Sequence, residues 1–256
     1  MRRPAIYPGL ADKTVFVTGG GSGIGAALTE AFLAQGARVG FVDIAEAESR
    51  ALVGRLEAEH GRAPLFIPCD IRDVAALQAA MVDAAAALGD IGVLMNNAAN
   101  DQRHSVEEVT VEYWDERMAI NQRPMFFTAQ AVLPMMKRLG GGAIVNFGSI
   151  SWRIGQGGMP AYTMAKAAVH GLTRGLARDF GPFNIRVNTL IPGWVMTERQ
   201  IKLWLTPEAE AELEKDQCLK SRVMPEDIAD MALFLASDAA AKCTAQQYTV
   251  DGGWSF

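Results

Sequence analysis

The chain has 256 residues, half of them hydrophobic and 21% charged, with a formal net charge of −5. That is enough apolar residue for a substantial core, and no cluster of Lys and Arg invites nucleic acid as a partner. Three scattered cysteines, Cys69, Cys218 and Cys243, and three dispersed histidines, His60, His104 and His170, give neither a disulfide framework nor metal-ligand spacing, so no metal is expected and a reducing cytoplasm is the expected compartment.

The stretch MRRPAIYPGLADKT opens on a basic pair, but Pro4, Pro8 and Asp12 interrupt any apolar segment, and no signal peptide is expected. TVFVT at 14–18 is followed by helical spacing from about 24 to 35. ARVGFVD (37–43) precedes a helix to about His60, and PLFIPCD (64–70) one to about Leu88. IGVLMN (91–96) leads through a loop into a long helical stretch over 111–138. AIVNFGS (143–149) precedes a helix near 161–180, and IRVNTLIP (185–192) precedes a polar helical region. A last helix, at about 226–236, leads to QYTVD (247–251). Nearly continuous hydrophobic strands alternating with helices imply a parallel sheet covered on both faces, a doubly wound α/β fold with right-handed crossovers. No repeat, low-complexity tract or linker divides it, so 1–256 reads as one domain, and no run of apolar residues is long enough to span a membrane.

Directly after the first strand, Thr18-Gly19-Gly20-Gly21-Ser22-Gly23-Ile24-Gly25 opens a helix. Strand, glycine-rich turn and helix N-terminus together make an anion site, because free amides and the helix dipole point at a pyrophosphate. The second strand ends at Asp43, where a carboxylate can bind the ribose hydroxyls of NAD and repel the 2′-phosphate of NADP. The same residue would serve as a helix N-cap. No Arg or Lys stands in the turn or immediately after Asp43 to receive a phosphate, so NAD is the expected cofactor. Asp70, ending strand three, is placed to meet the adenine or to cap the next helix.

AYTMAK at 161–166 sets Tyr162 and Lys166 four residues apart, downstream of Ser149 in NFGSISW. Residues i and i+4 share a helix face, so phenol and ammonium project to one place. A nearby cation favours the phenolate and lowers a tyrosine pKa by roughly 1–3 units, which would make the pair a general acid/base. Such pairs also arise by chance on amphipathic helices. Pro124 cannot donate to the carbonyl of Ile120, so the helix beside Asn121 should open and free carbonyls to hold a water. Asn121 would otherwise simply bond within a kinked helix.

These residues together resemble the short-chain dehydrogenase/reductase family over essentially the whole chain. The resemblance rests on TGGGSGIG, Asn-Asn-Ala-Ala at 96–99, Asn121, Ser149, Tyr162/Lys166, Pro192-Gly193 and Asp251-Gly252-Gly253. Ala99 stands for the usual glycine of NNAG, and Met164-Ala165 for the usual Ala-Ser of YxASK, both away from the reacting atoms. The resemblance implies a Rossmann fold with a mainly parallel seven-stranded sheet. It makes Tyr162 the proton-transfer residue, Lys166 its partner and ribose anchor, Ser149 the ligand of the reacting oxygen and Asn121 the anchor of a proton-relay water. Cofactor contacts carry over to Gly19, Ser22, Gly23, Ile24 and Gly25, to Asp43, Asp70, Ile71 and Asn97, and to Pro192, Gly193, Val195 and Thr197, besides Tyr162 and Lys166. It also implies a homotetramer through the long central helices, whose apolar faces at 118–133 and 165–176 suit that, and a mobile lid at 197–224.

Three segments should shape the substrate pocket: Asn100, Asp101, Gln102, Arg103 and His104; Ser151, Trp152 and Arg153; and Trp194, Met196 and Trp204. Aromatic faces beside amides and charges suit a polyhydroxylated ligand. Within these segments Asn100, His104, Ser151, Trp152 and Trp194 are the expected substrate contacts. NDQRH, YWDER, NFGSISW, QCLKSR and LASDAAAKCT look like the branch containing bacterial NAD-dependent aldose 1-dehydrogenases, which implies oxidation of a pentose or hexose at its anomeric hydroxyl. Rival readings are a 3-oxoacyl-thioester reductase or other secondary-alcohol dehydrogenase, and a non-catalytic NAD-binding regulator.

Overall fold

The computed structural model describes residues 5–255; the basic pair Arg2-Arg3 lies outside them. Among the described residues seven strands form one sheet: β1 (Thr14–Thr18), β2 (Arg38–Asp43), β3 (Leu65–Pro68), β4 (Ile91–Asn96), β5 (Gly142–Phe147), β6 (Ile185–Pro192) and β7 (Gln247–Val250). Their order is β3-β2-β1-β4-β5-β6-β7, and every neighbouring pair is parallel. Helices cover both faces, as the strand runs implied. Period-2 alternation sorts the side chains of β1: Val15 and Val17 pack toward α1 (Gly23–Ala34) and α9 (Pro225–Ala236). Phe16 faces the opposite core, with α3 (Val74–Leu88), α5 (Arg123–Arg138) and α6 (Pro160–Phe180). The helix α2 (Glu46–His60) completes the first face through Leu52 and Leu56.

Three segments depart from the sequence reading. The helical stretch over 111–138 is two helices, α4 (Val111–Asn121) and α5, parted at Gln122 with φ −133° and ψ −58°. Pro124 explains the break, because it removes the donor that the Ile120 carbonyl needs and its ring crowds that turn. The polar region after β6 is likewise two short helices, α7 (Glu198–Trp204) and α8 (Pro207–Asp216), each started by a threonine. Thr197 and Thr206 accept from the N–H of Gln200 and Ala209 at 3.3 and 3.2 Å. Expected strand three was longer; β3 is the sheet edge, partly exposed along its length, and pairs only over four residues. Among the described residues no helix is long and apolar enough to cross a membrane.

Between β4, β5 and the helices α5 and α6 runs a buried polar ladder. Thr128 Oγ1 donates to Asn96 Oδ1 at 2.7 Å, Asn96 Nδ2 to Asn146 Oδ1 at 2.9 Å, and Asn146 Nδ2 to Thr173 Oγ1 at 3.0 Å. It ties α5 and α6 to β4 and β5 with each buried amide satisfied, so it locks the register without an unpaired polar group.

Candidate active site

The carboxyl ends of β1 and β4 lie side by side where the winding reverses, and a cleft of about 1080 Å³ opens there. One wall is the glycine turn. Thr18 Oγ1 accepts the N–H groups of Asn97 and Ala98, both at 3.1 Å. Asn97 Nδ2 in turn donates to the carbonyls of Thr18 and Gly19 at 3.1 and 3.0 Å. Gly19 sits at φ +66°, and a Cβ on Gly25 would stand 1.7 Å from the Gly19 carbonyl oxygen. Ser22 makes no side-chain cap at the start of α1. A close-packed turn feeding an uncapped helix N-terminus fits a pyrophosphate.

Asp43 is held at this wall by two backbone donors, Gly21 N–H to Oδ2 at 2.9 Å and Ala45 N–H to Oδ1 at 3.0 Å. The N-cap of α2 is Ala45 and no side chain caps it, so Asp43 fixes the turn before the helix rather than capping it, and it lines the cleft. Asp70 is bound to Arg72, with the two guanidinium contacts to Oδ2 at 2.8 and 2.6 Å. That bond, against the desolvation that opposes it, holds the Asp70 carboxyl below the usual range. Gly19, Ser22, Ile24, Gly25, Ile71, Asn97, Pro192, Gly193, Val195 and Thr197 all line the cleft. Gly23 does not; it turns the chain beneath, at φ +53°, against the methyl of Thr197.

At the floor, Ser149 follows β5, and Tyr162 and Lys166 come from the first turns of α6. Tyr162 and Ser149 both line the cleft, and the Ser149 hydroxyl favours the ionised phenol. Lys166 is 1% exposed; its Nζ donates to the Phe147 carbonyl at 2.8 Å and lies 5.8 Å from the Tyr162 ring centre. The shared helix face is thus real, but the electrostatics run against the expectation of a lowered phenol. Desolvation, then the field of Asp101, pushes the Tyr162 phenol up to about 12. Desolvation brings the Lys166 ammonium down to about 7. Both charged forms are disfavoured in a site screened from water, and the ammonium's hydrogen bond is spent on a carbonyl.

Asn121 is fully buried, with its side chain paired both ways to one residue: Oδ1 accepts the Asn100 N–H at 2.8 Å and Nδ2 donates to the Asn100 carbonyl at 3.1 Å. The side chain therefore fixes the loop after β4, and any water there would rest on the carbonyls freed at the helix break.

Of the expected substrate contacts, Asn100 and Trp194 line the cleft. Three do not. The His104 ring stands 3.0 Å from the Tyr113 hydroxyl and takes the Ala161 N–H, so it staples the loop to the start of α6. Ser151 is buried, its N–H donating to Ser149 Oγ at 3.1 Å. Trp152 packs edge-on against His170, ring centres 5.1 Å apart. The chain turns in a short 3-10 helix right after Ser149, and neither the Ser151 nor the Trp152 side chain joins the cleft lining.

The cleft instead gains residues that were not singled out. Trp254 lines it beside Trp194 and Trp204. Its turn is organised by Asp251, which accepts the N–H groups of Gly253 and Ser255, both at 2.8 Å. Arg199 and Gln200 of α7 also reach the cleft and bond to Asp101. The aspartate and glycines of DGGW were visible signals of a tight turn, but not of where its tryptophan would point.

A doubly wound sheet with a glycine cradle at its switch point and a Ser/Tyr/Lys floor defines a nicotinamide-dependent oxidoreductase, and the chain belongs to the short-chain dehydrogenase/reductase family. A family profile described as "Enoyl-(Acyl carrier protein) reductase" matches residues 19–255. The chain is 53% identical to the probable galactose dehydrogenase GalD of Rhizobium meliloti, over 96% of each chain. It is 51% identical to the D-xylose 1-dehydrogenase of Caulobacter vibrioides, over 98% of each. A solved blue fluorescent protein from a metagenomic library, in complex with NADPH, is 35% identical with a TM-score of 0.88, covering 97% of this chain and 100% of that one.

Proposed function

We propose that the protein oxidises the anomeric hydroxyl of a cyclic aldose, a pentose or a hexose, to the aldonolactone with NAD. The observation that carries this reading is near-full-length identity above one half to two sugar dehydrogenases, over an intact Ser149/Tyr162/Lys166 set. Ser149 holds the C1 oxygen and Tyr162 removes its proton as the C1–O double bond forms. The nicotinamide, when bound, supplies the hydride acceptor. Lys166 and the glycine turn would hold its ribose and pyrophosphate. Trp194, Trp204 and Trp254 offer flat apolar faces to the sugar's C–H groups, and Asn100 a polar contact for a hydroxyl.

Initial rates of NADH formation on D-xylose, L-arabinose, D-galactose, D-glucose and L-fucose test the reading. Selective oxidation of one aldose, lost in Tyr162→Phe by a factor of about 100 or more, is the expected result. Silence on all five sugars with reduction of an acetoacetyl thioester would reject it in favour of the rival reading, a 3-oxoacyl-thioester reductase.

NAD over NADP rests on Asp43, whose oriented carboxylate opposes a 2′-phosphate. Asp43→Asn should lower kcat/KM with NAD by about 10–100-fold through the lost charged hydrogen bonds, and raise the value with NADP. An unchanged cofactor ratio would show that other groups choose the cofactor. A cytoplasmic homotetramer completes the reading; exposed Phe126 on α5 and Met164 on α6 support an apolar contact between copies.

A further inference from the structure

Helix α7 is held with almost no apolar burial. None of its residues is buried, and Ile201 and Leu203 face solvent. Polar bonds do the holding. Arg199 pairs with Asp101 through Oδ1, and Gln200 Nε2 donates to the other oxygen, Oδ2, at 2.8 Å. Gln200 Oε1 accepts the Trp194 indole N–H at 2.9 Å. At the far end of α7 the Arg103 guanidinium lies 5.0 Å from the centre of the Trp204 ring. The Asp101 side chain is only 17% exposed and lines the same cleft as Tyr162 and Lys166. Seating α7 therefore places a cation on a largely buried carboxylate in the cleft that holds the reacting phenol.

We propose that Arg199 is a positioning residue whose docking on Asp101 both latches α7 over the cleft and neutralises the charge that Tyr162 feels, so that closure and activation of the base are one event. The proposal rests on Tyr162 being the proton acceptor and deepens that reading. The charged groups around the phenol are Asp101 and Arg103 from the loop after β4, Arg199 from α7 and Lys166 from its own helix; Glu212 and Asp216 of α8 line the same cleft. After desolvation, Asp101 is the strongest influence raising the phenol, while the Ser149 hydroxyl, Arg103 and Arg199 lower it. Against its own desolvation, the bonds from Arg199 and Gln200 keep the Asp101 carboxyl below its ordinary range.

The test compares Arg199→Gln, Asp101→Asn and Arg199→Lys with the parent protein. Amide hydrogen exchange over 198–204, read without substrate, should quicken about tenfold or more in Arg199→Gln and Asp101→Asn, and return toward the parent rate in Arg199→Lys. The pH at which oxidation rates rise should move in opposite directions, up by roughly one unit in Arg199→Gln and down by a similar amount in Asp101→Asn. A helix that merely covers the site would move both variants the same way, or change KM alone, and either result overturns the proposal. Ultraviolet titration of the phenol, taken as the difference from Tyr162→Phe, needs no turnover. A downward shift there in Asp101→Asn supports the coupling even if no aldose is oxidised. Aldose oxidation with an unmoved phenol rejects the coupling and leaves the sugar reading standing.

Discussion

His170 shows how one residue can carry a cost that the fold tolerates. Its ring nitrogens are buried with no hydrogen-bond partner among the described residues, it meets the edge of Trp152, and it lies near Arg153 and Arg174. Desolvation, then the two arginines, brings its pKa down from 6.5 to about 4. A base whose folded pKa is depressed binds its proton first in the unfolded chain. Its contribution to stability is therefore intact above 6.5 and is lost progressively as the pH falls from there to about 4. His170→Phe should flatten the fall in melting temperature over that window while leaving the neutral-pH value close to the parent. Parallel curves for the two proteins would mean the ring is not held neutral. Tyr162 and Lys166 pay a related toll to solvent exclusion, but their unfavourable charged forms are the chemistry's raw material, since a phenol that resists ionisation in the free protein responds sharply to each nearby charge.

At the scale of elements, the buried polar ladder is what sets α6 on the sheet. Asn146→Ala would leave the Asn96 amide with only its 3.5 Å contact to the Met125 carbonyl and the Thr173 hydroxyl with its bond from Thr189, a loss of about 1–3 kcal/mol in all. Urea unfolding should register that loss, and kcat should fall with it, because α6 carries both Tyr162 and Lys166. Full stability in this variant would mean water replaces the amide. The strands were legible because buried parallel strands must be apolar along their whole length, as TVFVT and IGVLMN are. The glycine turn and the Tyr162/Lys166 pair were legible because spacing alone puts them on one loop and one helix face. The break at Gln122 was half legible: Pro124 signalled an opening, though not the complete parting into two helices. Side-chain direction after a turn was not legible. Trp152 follows Ser149 closely yet packs against His170, whereas Trp254 comes from the far edge of the sheet into the cleft. Adjacency along the chain says little where the backbone leaves its period.

Across the whole molecule, two unequal halves meet at β1 and β4. The glycine turn and Asp43 are joined by a bond across 22 residues, whereas Asn97 reaches Thr18 across 79. Such long separations make parallel sheets slow to assemble, since the chain must give up its freedom before any contact rewards it. During synthesis β1, β2 and β3 can meet while β4 is still to come. The cradle for the pyrophosphate, which needs the Asn97 amide on the carbonyls of Thr18 and Gly19, must then wait for that insertion. The cleft closes last, when the turn after β7 delivers Trp254. A ribosome-bound chain stalled before β4 would accordingly be a nascent three-strand fragment with its future cofactor seat unformed and the edge of β1 open to pairing with a neighbouring chain.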